Sequence, residues 1–202
     1  MREAEAWNSI LKRPLPEGAR QYFETLAMKI RAEIERVDAS EMAEFGCGRG
    51  ELSAILAAAL PDCHFVGYDL SPMTISRLSR KALPNQEFEI ASLPQVPSRT
   101  FDCVLCFNTL HYVPESLLAI RRLWSIVRPG GVLIFNYPNR YYLAALPPEP
   151  QDRTWAVVER PMRLRRNLLT RKQIQESIRG ARWRVIHRSR GNIIYLRAER
   201  VE

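Results

Sequence analysis

Between residues 19 and 37 the apolar side chains Tyr22, Phe23, Leu26, Ala27, Ile30, Ile34 and Val37 recur every three or four positions. That is the repeat of a helix burying one stripe. Beyond it, short apolar runs alternate with longer amphipathic ones. Strands are predicted at 41–45, 63–68, 86–90, 101–107 and 132–136, and helices at 51–60, 72–83 and 114–127, the second of these opened by Pro72 in its first turn. The motif "VRPGG" at 127–131 reads as a helix stop that turns the chain into a buried strand. Strands alternating with helices of this length predict an α/β fold, a parallel sheet wound on both faces.

After Tyr137 the periodicity lapses. Residues 138–169 hold five prolines, Pro138, Pro147, Pro148, Pro150 and Pro161, and read as a long surface excursion. Thr170 can cap a helix running to about residue 179. "WRVIHR" and "NIIYLRAE", joined by a Gly191-Asn192 turn, then predict a closing antiparallel hairpin and bring the strands to seven. We expect one domain over 1–202, with a helical segment at 1–39, a core at 40–137, the excursion at 138–169 and the closing helix and hairpin at 170–202.

Composition changes this picture in two places. The 46% hydrophobic and 26% charged content of the 202-residue chain is that of a globular protein, with neither a cleavable leader nor an apolar run of membrane-spanning length, so a cytoplasmic location is expected. The net charge of +8 is uneven: residues 1–150 carry 16 Lys/Arg against 17 Asp/Glu, and residues 151–202 carry 14 against 5. A basic C-terminal quarter points to an anionic partner, either a small phosphate or carboxylate compound or nucleic acid. Cys47, Cys63, Cys103 and Cys106 all fall in or beside apolar segments and read as buried thiols. Cys103 and Cys106 form C-x-x-C, but residues three apart on a strand point to opposite faces, so no metal is expected there.

The chemistry begins at "EFGCGRG", residues 44–50, between the first strand and its helix, where parallel strands open a ligand crevice at their carboxyl ends. A dinucleotide fingerprint needs G-x-G-x-x-G, whereas here the spacing is G-x-G-x-G with Glu51 at the last position. Glu44 and Glu51 bracket the turn with negative charge, which repels a pyrophosphate and suits a cationic ligand. The second strand ends in "GYDLSPMT", placing Asp69 where an acid can bind ribose hydroxyls. A nucleoside with a cationic amino-acid tail satisfies both features.

At this point the chain resembles the class I S-adenosylmethionine-dependent methyltransferases. "EFGCGRG", "GYDLSPM", "FDCVLCFNTLHYV" and "LWSIVRPGGVLIF" follow that family's motifs in order and spacing, closely over about residues 40–137 and in outline beyond. The resemblance implies a Rossmann-like, mostly parallel seven-stranded sheet and S-adenosylmethionine as cofactor. It implies that Glu44 serves the methionyl end, that Gly46, Cys47, Gly48 and Gly50 give it backbone room, and that Asp69 binds the ribose. Leu70 and Met73 would flank the adenine, and Asn108 would face the methionyl group and the reacting methyl. The chain departs from the family at "EIASLPQVP", where Ser92 stands near the position at which many relatives place an Asp for the adenine; backbone groups of 91–93 are the expected substitute.

Methyl transfer from a sulfonium is an in-line displacement whose rate rests on alignment in a dry site, and a base matters only when the nucleophile arrives protonated. His111, in "NTLHYVP", is the histidine near the crevice mouth; it is either that base or a packing residue beside the cofactor. His64 and His187 lie inside strands and read as structural. Tyr137, Tyr141, Tyr142 and Trp155 follow the fifth strand, where this family builds its substrate lid; they are candidate walls for a substrate or simple packing. In "ERPMRLRRNLLTRK", Arg163, Arg165 and Arg166 are candidate clamps for an anion, against the plainer reading of a solvated face.

Three functions follow. The first is methylation of a small molecule, with an anionic group, at O, N or C. The second is an RNA methyltransferase whose basic C-terminal surface tracks phosphates. The third is a catalytically silent binding protein that keeps the fold, disfavoured by the intact glycine turn and Asp69.

Overall fold

The computed structural model describes residues 18–138, 169–188 and 193–201, together with Trp7, Leu11, Lys12, Pro14 and Leu15. In chain order the elements are α1 (Ala19–Arg36), β1 (Glu41–Phe45), α2 (Glu51–Ala59), β2 (His64–Asp69), α3 (Pro72–Ser79), β3 (Gln86–Ile90) and β4 (Phe101–Cys106). A 3-10 turn (Leu110–Tyr112), α4 (Ser116–Ser125), β5 (Val127–Pro138), α5 (Arg171–Ser177), β6 (Ala181–Arg188) and β7 (Ile193–Arg200) follow. One seven-stranded sheet results, in the order β3-β2-β1-β4-β5-β7-β6. The first five strands pair in parallel, and β7 pairs antiparallel with both β5 and β6. The strand order reverses between β1 and β4, which opens a crevice beyond their carboxyl ends.

Alternating residues feed two cores, one on each face. Ala43, Phe45, Val104, Cys106, Leu133 and Phe135 face α4 and α5, while Met42, Cys103, Leu105, Val132 and Ile134 face α1 and α2. Cys103 and Cys106 thus lie on opposite sides of the sheet, both fully buried, as strand geometry requires. The stripe of α1 is buried through Leu26, Ala27, Ile30 and Ile34, and so is the acid Glu33. Glu33 is held by Arg36 at 2.6 Å, by Arg197 of β7 at 2.9 Å and by Arg184 of β6, which fixes α1 against the C-terminal hairpin. A buried acid needs this pairing. Among the described residues no helix is long and apolar enough to cross a membrane.

Two expected boundaries move. The helix expected to reach residue 83 ends at Ser79 with Arg80 as its C-cap, and Pro84 disfavours helical backbone at Leu83, which keeps the helix from resuming there. "VRPGG" is not a turn between elements but part of β5. Its pairing with β4 runs Phe101 to Val127 and then jumps to Cys103 with Val132, so residues 128–131 bulge from the ladder. The bulge holds because Gly130 takes a φ of 78° and because a side chain on Gly131 would meet the Asp102 carbonyl at 2.5 Å.

Candidate active site

A cavity of about 270 Å³ lies at the crevice between β1 and β4. Its floor is the loop after β1. Gly46 and Cys47 both donate backbone N–H bonds to the Tyr68 carbonyl, at 2.8 and 3.0 Å, which folds the loop back over β2. Gly46 has a φ of 74°, and a Cβ there would fall inside the Thr109 side chain, so this position admits no other residue without displacement. Gly50, with a φ of 81°, starts α2 where a Cβ would meet Leu78 at 2.7 Å.

Asp69, at the end of β2, accepts from Gly48 N–H at 3.1 Å and from Ser71 N–H at 2.9 Å. It therefore ties the glycine loop to the second strand. It does not cap α3: Ser71 does, accepting from Thr74 N–H at 3.1 Å. Glu44 projects from β1 and is buried, with one carboxyl oxygen, Oε2, shielded from solvent and without a hydrogen-bond partner among the described residues. Burial, then the neighbouring charges of Glu51 and Asp69, push its pKa up to about 8, against only the hydrogen bonds from Ser53. Burial raises Asp69 and Glu51 above the usual carboxylate range as well, although backbone N–H bonds, and at Glu51 the charges of Arg49 and Arg77, work against it. Three acids therefore converge on one end of the cavity, and one of them holds an unused acceptor. A cationic ammonium or sulfonium fits that end, and a pyrophosphate does not.

Apart from Arg49 of the glycine loop, the rest of the wall is apolar or neutral. Phe107, Asn108, Thr109 and Tyr112 come from the segment after β4, Ala91, Ser92 and Leu93 from the segment after β3, and Phe23 from α1, with Trp7, Leu11 and Leu15 ahead of it. Trp7 meets Tyr112 edge to face at 4.7 Å. Asn108 stands in the left-handed region at a φ of 52°.

Of the residues singled out from the sequence, Glu44, Gly46, Cys47, Gly48, Asp69, Leu70, Ser92 and Asn108 line this cavity. Gly50 supports the loop from behind, and Met73 is 43% exposed near the start of α3, outside the lining. His111 lies in the 3-10 turn, buried behind the wall and packed on Tyr112 with ring centroids 4.1 Å apart, and burial lowers its pKa to about 4. Tyr137 is buried in the sheet core among the residues facing α4. Tyr141, Tyr142, Trp155, Arg163, Arg165 and Arg166 lie outside the described residues. Among the wall residues the sequence did not single out are Trp7, Leu11, Phe23, Arg49, Phe107, Thr109 and Tyr112. Phe23 was legible as part of an apolar stripe, but nothing local told which end of that stripe reaches the crevice.

Comparison with known proteins gives this geometry its context. Residues 19–188 match the family described as "Methyltransferase domain". The chain is 31% identical over 115 residues to a trans-aconitate 2-methyltransferase of Deinococcus radiodurans, covering 57% of this chain and 44% of that protein. It is likewise 31% identical over 137 residues to the trans-aconitate 2-methyltransferase of Escherichia coli O157:H7 (strain EC4115 / EHEC), covering 67% and 52%. The chain thus spans about half the length of these curated relatives. Its fold is that of the N-methyltransferase NodS from Bradyrhizobium japonicum WM9, solved with S-adenosyl-l-homocysteine, with a TM-score of 0.67 at 17% identity over all of both chains. The family match, the strand order and the acid-lined crevice agree: the chain belongs to the class I S-adenosylmethionine-dependent methyltransferase family.

Proposed function

We propose that this protein transfers the methyl group of S-adenosylmethionine to a small molecule bearing a carboxylate. The observation that carries the cofactor half is the buried Glu44 carboxylate, which lines the cavity with Glu51 and Asp69 and whose Oε2 has no hydrogen-bond partner among the described residues. When bound, the cofactor supplies an electrophilic methyl on a positively charged sulfur. Glu44 would take the cationic methionyl end, Asp69 the ribose hydroxyls, and Leu70 with the 91–93 segment would flank the base. Phe23, Phe107 and Tyr112 would keep water from the reacting end, which is where alignment gives most of the rate.

Two features support an acidic acceptor: the relatives named for trans-aconitate, and the basic excess of residues 151–202. A carboxylate arrives already deprotonated, so no side chain must take a proton from it. That agrees with His111 being buried behind the wall with a pKa near 4, and this reading assigns His111 to packing.

The test supplies methyl-labelled cofactor with trans-aconitate, with a small-molecule extract and with an RNA fraction. Label is expected in a small acid, as an ester whose methyl is released by alkali. Label confined to RNA, bound tightly at about 0.15 M salt, would replace this reading with the nucleic-acid one.

A further inference from the structure

Asn136 sits near the end of β5, 1% exposed and outside the cavity lining, yet it governs a residue inside that lining. The backbone N–H of Asn108 donates to Asn136 Oδ1 at 2.7 Å, and Asn136 Nδ2 donates to Asn108 Oδ1 at 2.8 Å. The two amides form a clasp across 28 residues of chain, and it holds Asn108 at its left-handed φ of 52°. Asparagine tolerates that region better than most side chains, so the clasp fixes orientation more than it opposes strain.

The orientation of both amides follows from one atom whose role is not adjustable. A backbone N–H can only donate, so the Asn136 atom facing it must be oxygen. The other end of that amide is then NH2, and the Asn108 atom facing it must in turn be an acceptor. What remains of the side chain of Asn108, an exposed residue that lines the cavity, is its NH2, which points toward the Tyr22 hydroxyl of α1 at 3.5 Å, the limit of a hydrogen bond. We infer that Asn136 is a positioning residue that makes Asn108 an obligatory hydrogen-bond donor in the cavity, so that the group accepted beside the methyl is an acceptor such as a carboxylate and not an amine. An amine nucleophile needs an acceptor to hold its N–H, and the clasp takes the Asn108 oxygen out of that role. The inference rests on the proposed function and sharpens its substrate class.

Two isosteric variants separate polarity from mere support. Asn108→Asp keeps both clasp bonds but turns an oxygen toward the cavity. Asn136→Asp still accepts from the 108 backbone, but its second oxygen forces the Asn108 amide to flip, presenting oxygen to the cavity without a change in any lining residue. With trans-aconitate as the probe, both variants are expected to lose roughly 10- to 100-fold in kcat/KM, the scale of a hydrogen bond to a charged group. Melting temperature should stay near wild type for Asn108→Asp. Side-chain amide exchange should show the Asn136 NH2 protected and the Asn108 NH2 exchanging freely in the wild type. Full activity of Asn108→Asp on an acid, or protection of the Asn108 NH2 instead, overturns the inference alone. An amine as the sole methyl acceptor, with the exchange pattern as expected, overturns the proposed function and with it the substrate class inferred here.

Discussion

Acids gather at both ends of the parallel sheet, and the two groups behave in opposite ways. At the amino-terminal end, Glu41 opens β1 and accepts from Arg99 Nη2 at 2.6 Å, beside His64 and Glu87. Next to it Asp102 accepts from the Ser40 and Glu41 N–H groups, at 3.0 and 2.9 Å, and from Arg128 at 2.9 Å. Burial pushes both pKa values up, but these partners outweigh it and hold both acids below the usual range. Three residues along the same strand, Glu44 has no such cation paired with it among the described residues and is raised to about 8. The contrast teaches which end is finished. The amino-terminal end is neutralised by the protein itself, whereas the carboxyl end is left electrically incomplete for a ligand to complete, a pattern that marks functional sites.

The largest effect that would sharpen this contrast comes from glycine. Gly46 and Gly130 have nearly the same φ, 74° and 78°, but a Cβ on Gly46 collides with Thr109 while one on Gly130 meets nothing within 4 Å. Gly130→Ala is expected to cost only backbone strain, about 1 kcal/mol, with cofactor affinity unchanged. Gly46→Ala adds displacement of Thr109, for a total of about 2–4 kcal/mol, and cofactor binding should be lost with it. Chemical denaturation and calorimetry read both, and equal costs at the two glycines would show that the crevice loop is not specially constrained.

Next in size is the titration of Glu44. Its pKa near 8 leaves it mostly protonated at pH 7, and a cation bound beside it draws the proton off. Affinity for S-adenosylmethionine is therefore expected to tighten as pH rises from about 6 to about 8, by at most roughly tenfold per unit, and to level above. Calorimetry in buffers of different ionisation heat should find close to one proton released per cofactor near pH 7. Glu44→Gln abolishes that release and leaves the cofactor's own titration as background. For stability the signs are opposed at the two ends. A raised acid such as Glu44 favours the empty folded state fully below its ordinary value of 4.5, and this is lost as pH climbs toward 8. The depressed Glu41 and Asp102 contribute above their ordinary values of 4.5 and 3.8, and that is lost as pH falls through their lowered folded values.

How much of this the sequence carried depends on whether the information was local. The glycine turn, Glu44, Glu51 and Asp69 were legible because motif and element boundary coincide within a few residues. The two-faced burial of Cys103 and Cys106 was legible because strand periodicity is local too. The role of "VRPGG" was not: whether those residues end a helix or bulge from a strand depends on the β4 register, set by Phe101 and Cys103 some 25 residues away. Tyr137, which follows the fifth strand, reads from the sequence as either a substrate wall or simple packing. In the fold β5 runs on to Pro138 and pairs with β7 as far as Ile193, which keeps Tyr137 in the core. The Asn108 and Asn136 clasp joins two unremarkable asparagines, and no spacing rule announces it.

A smaller effect tests the ends against each other directly. Asp69→Ala is expected to weaken cofactor binding by roughly 1–3 kcal/mol, through loss of a charge-assisted bond and of the tie to Gly48. Asp102→Ala should cost a similar 1–3 kcal/mol, but in folding stability, because the Ser40 and Glu41 N–H groups and Arg128 lose their acceptor. Calorimetry on one and denaturation on the other would separate the two ends, and a cofactor affinity lowered by Asp102→Ala would join them.

The smallest expected effect belongs to Arg99. It donates to Glu41 at 2.6 Å and to Glu87 at 3.3 Å, its Nη2 lies 2.9 Å from His64 Nδ1, and it sits 5.4 Å from the centre of the Phe101 ring. Its partners are only partly buried, with side-chain exposures of 28% for Glu41 and 47% for Glu87, so solvent screens most of the Coulomb gain. Arg99→Met keeps much of the contact with Phe101 and removes the charge, and should cost no more than about 1 kcal/mol at low salt. That difference should shrink toward zero near 1 M salt, where the screening length falls to about 3 Å, with cofactor affinity unmoved at either salt. If instead affinity weakened more than about twofold, Glu41 would be passing its charge state along β1 to Glu44, and the two ends of the sheet would have to be treated as one coupled set of acids.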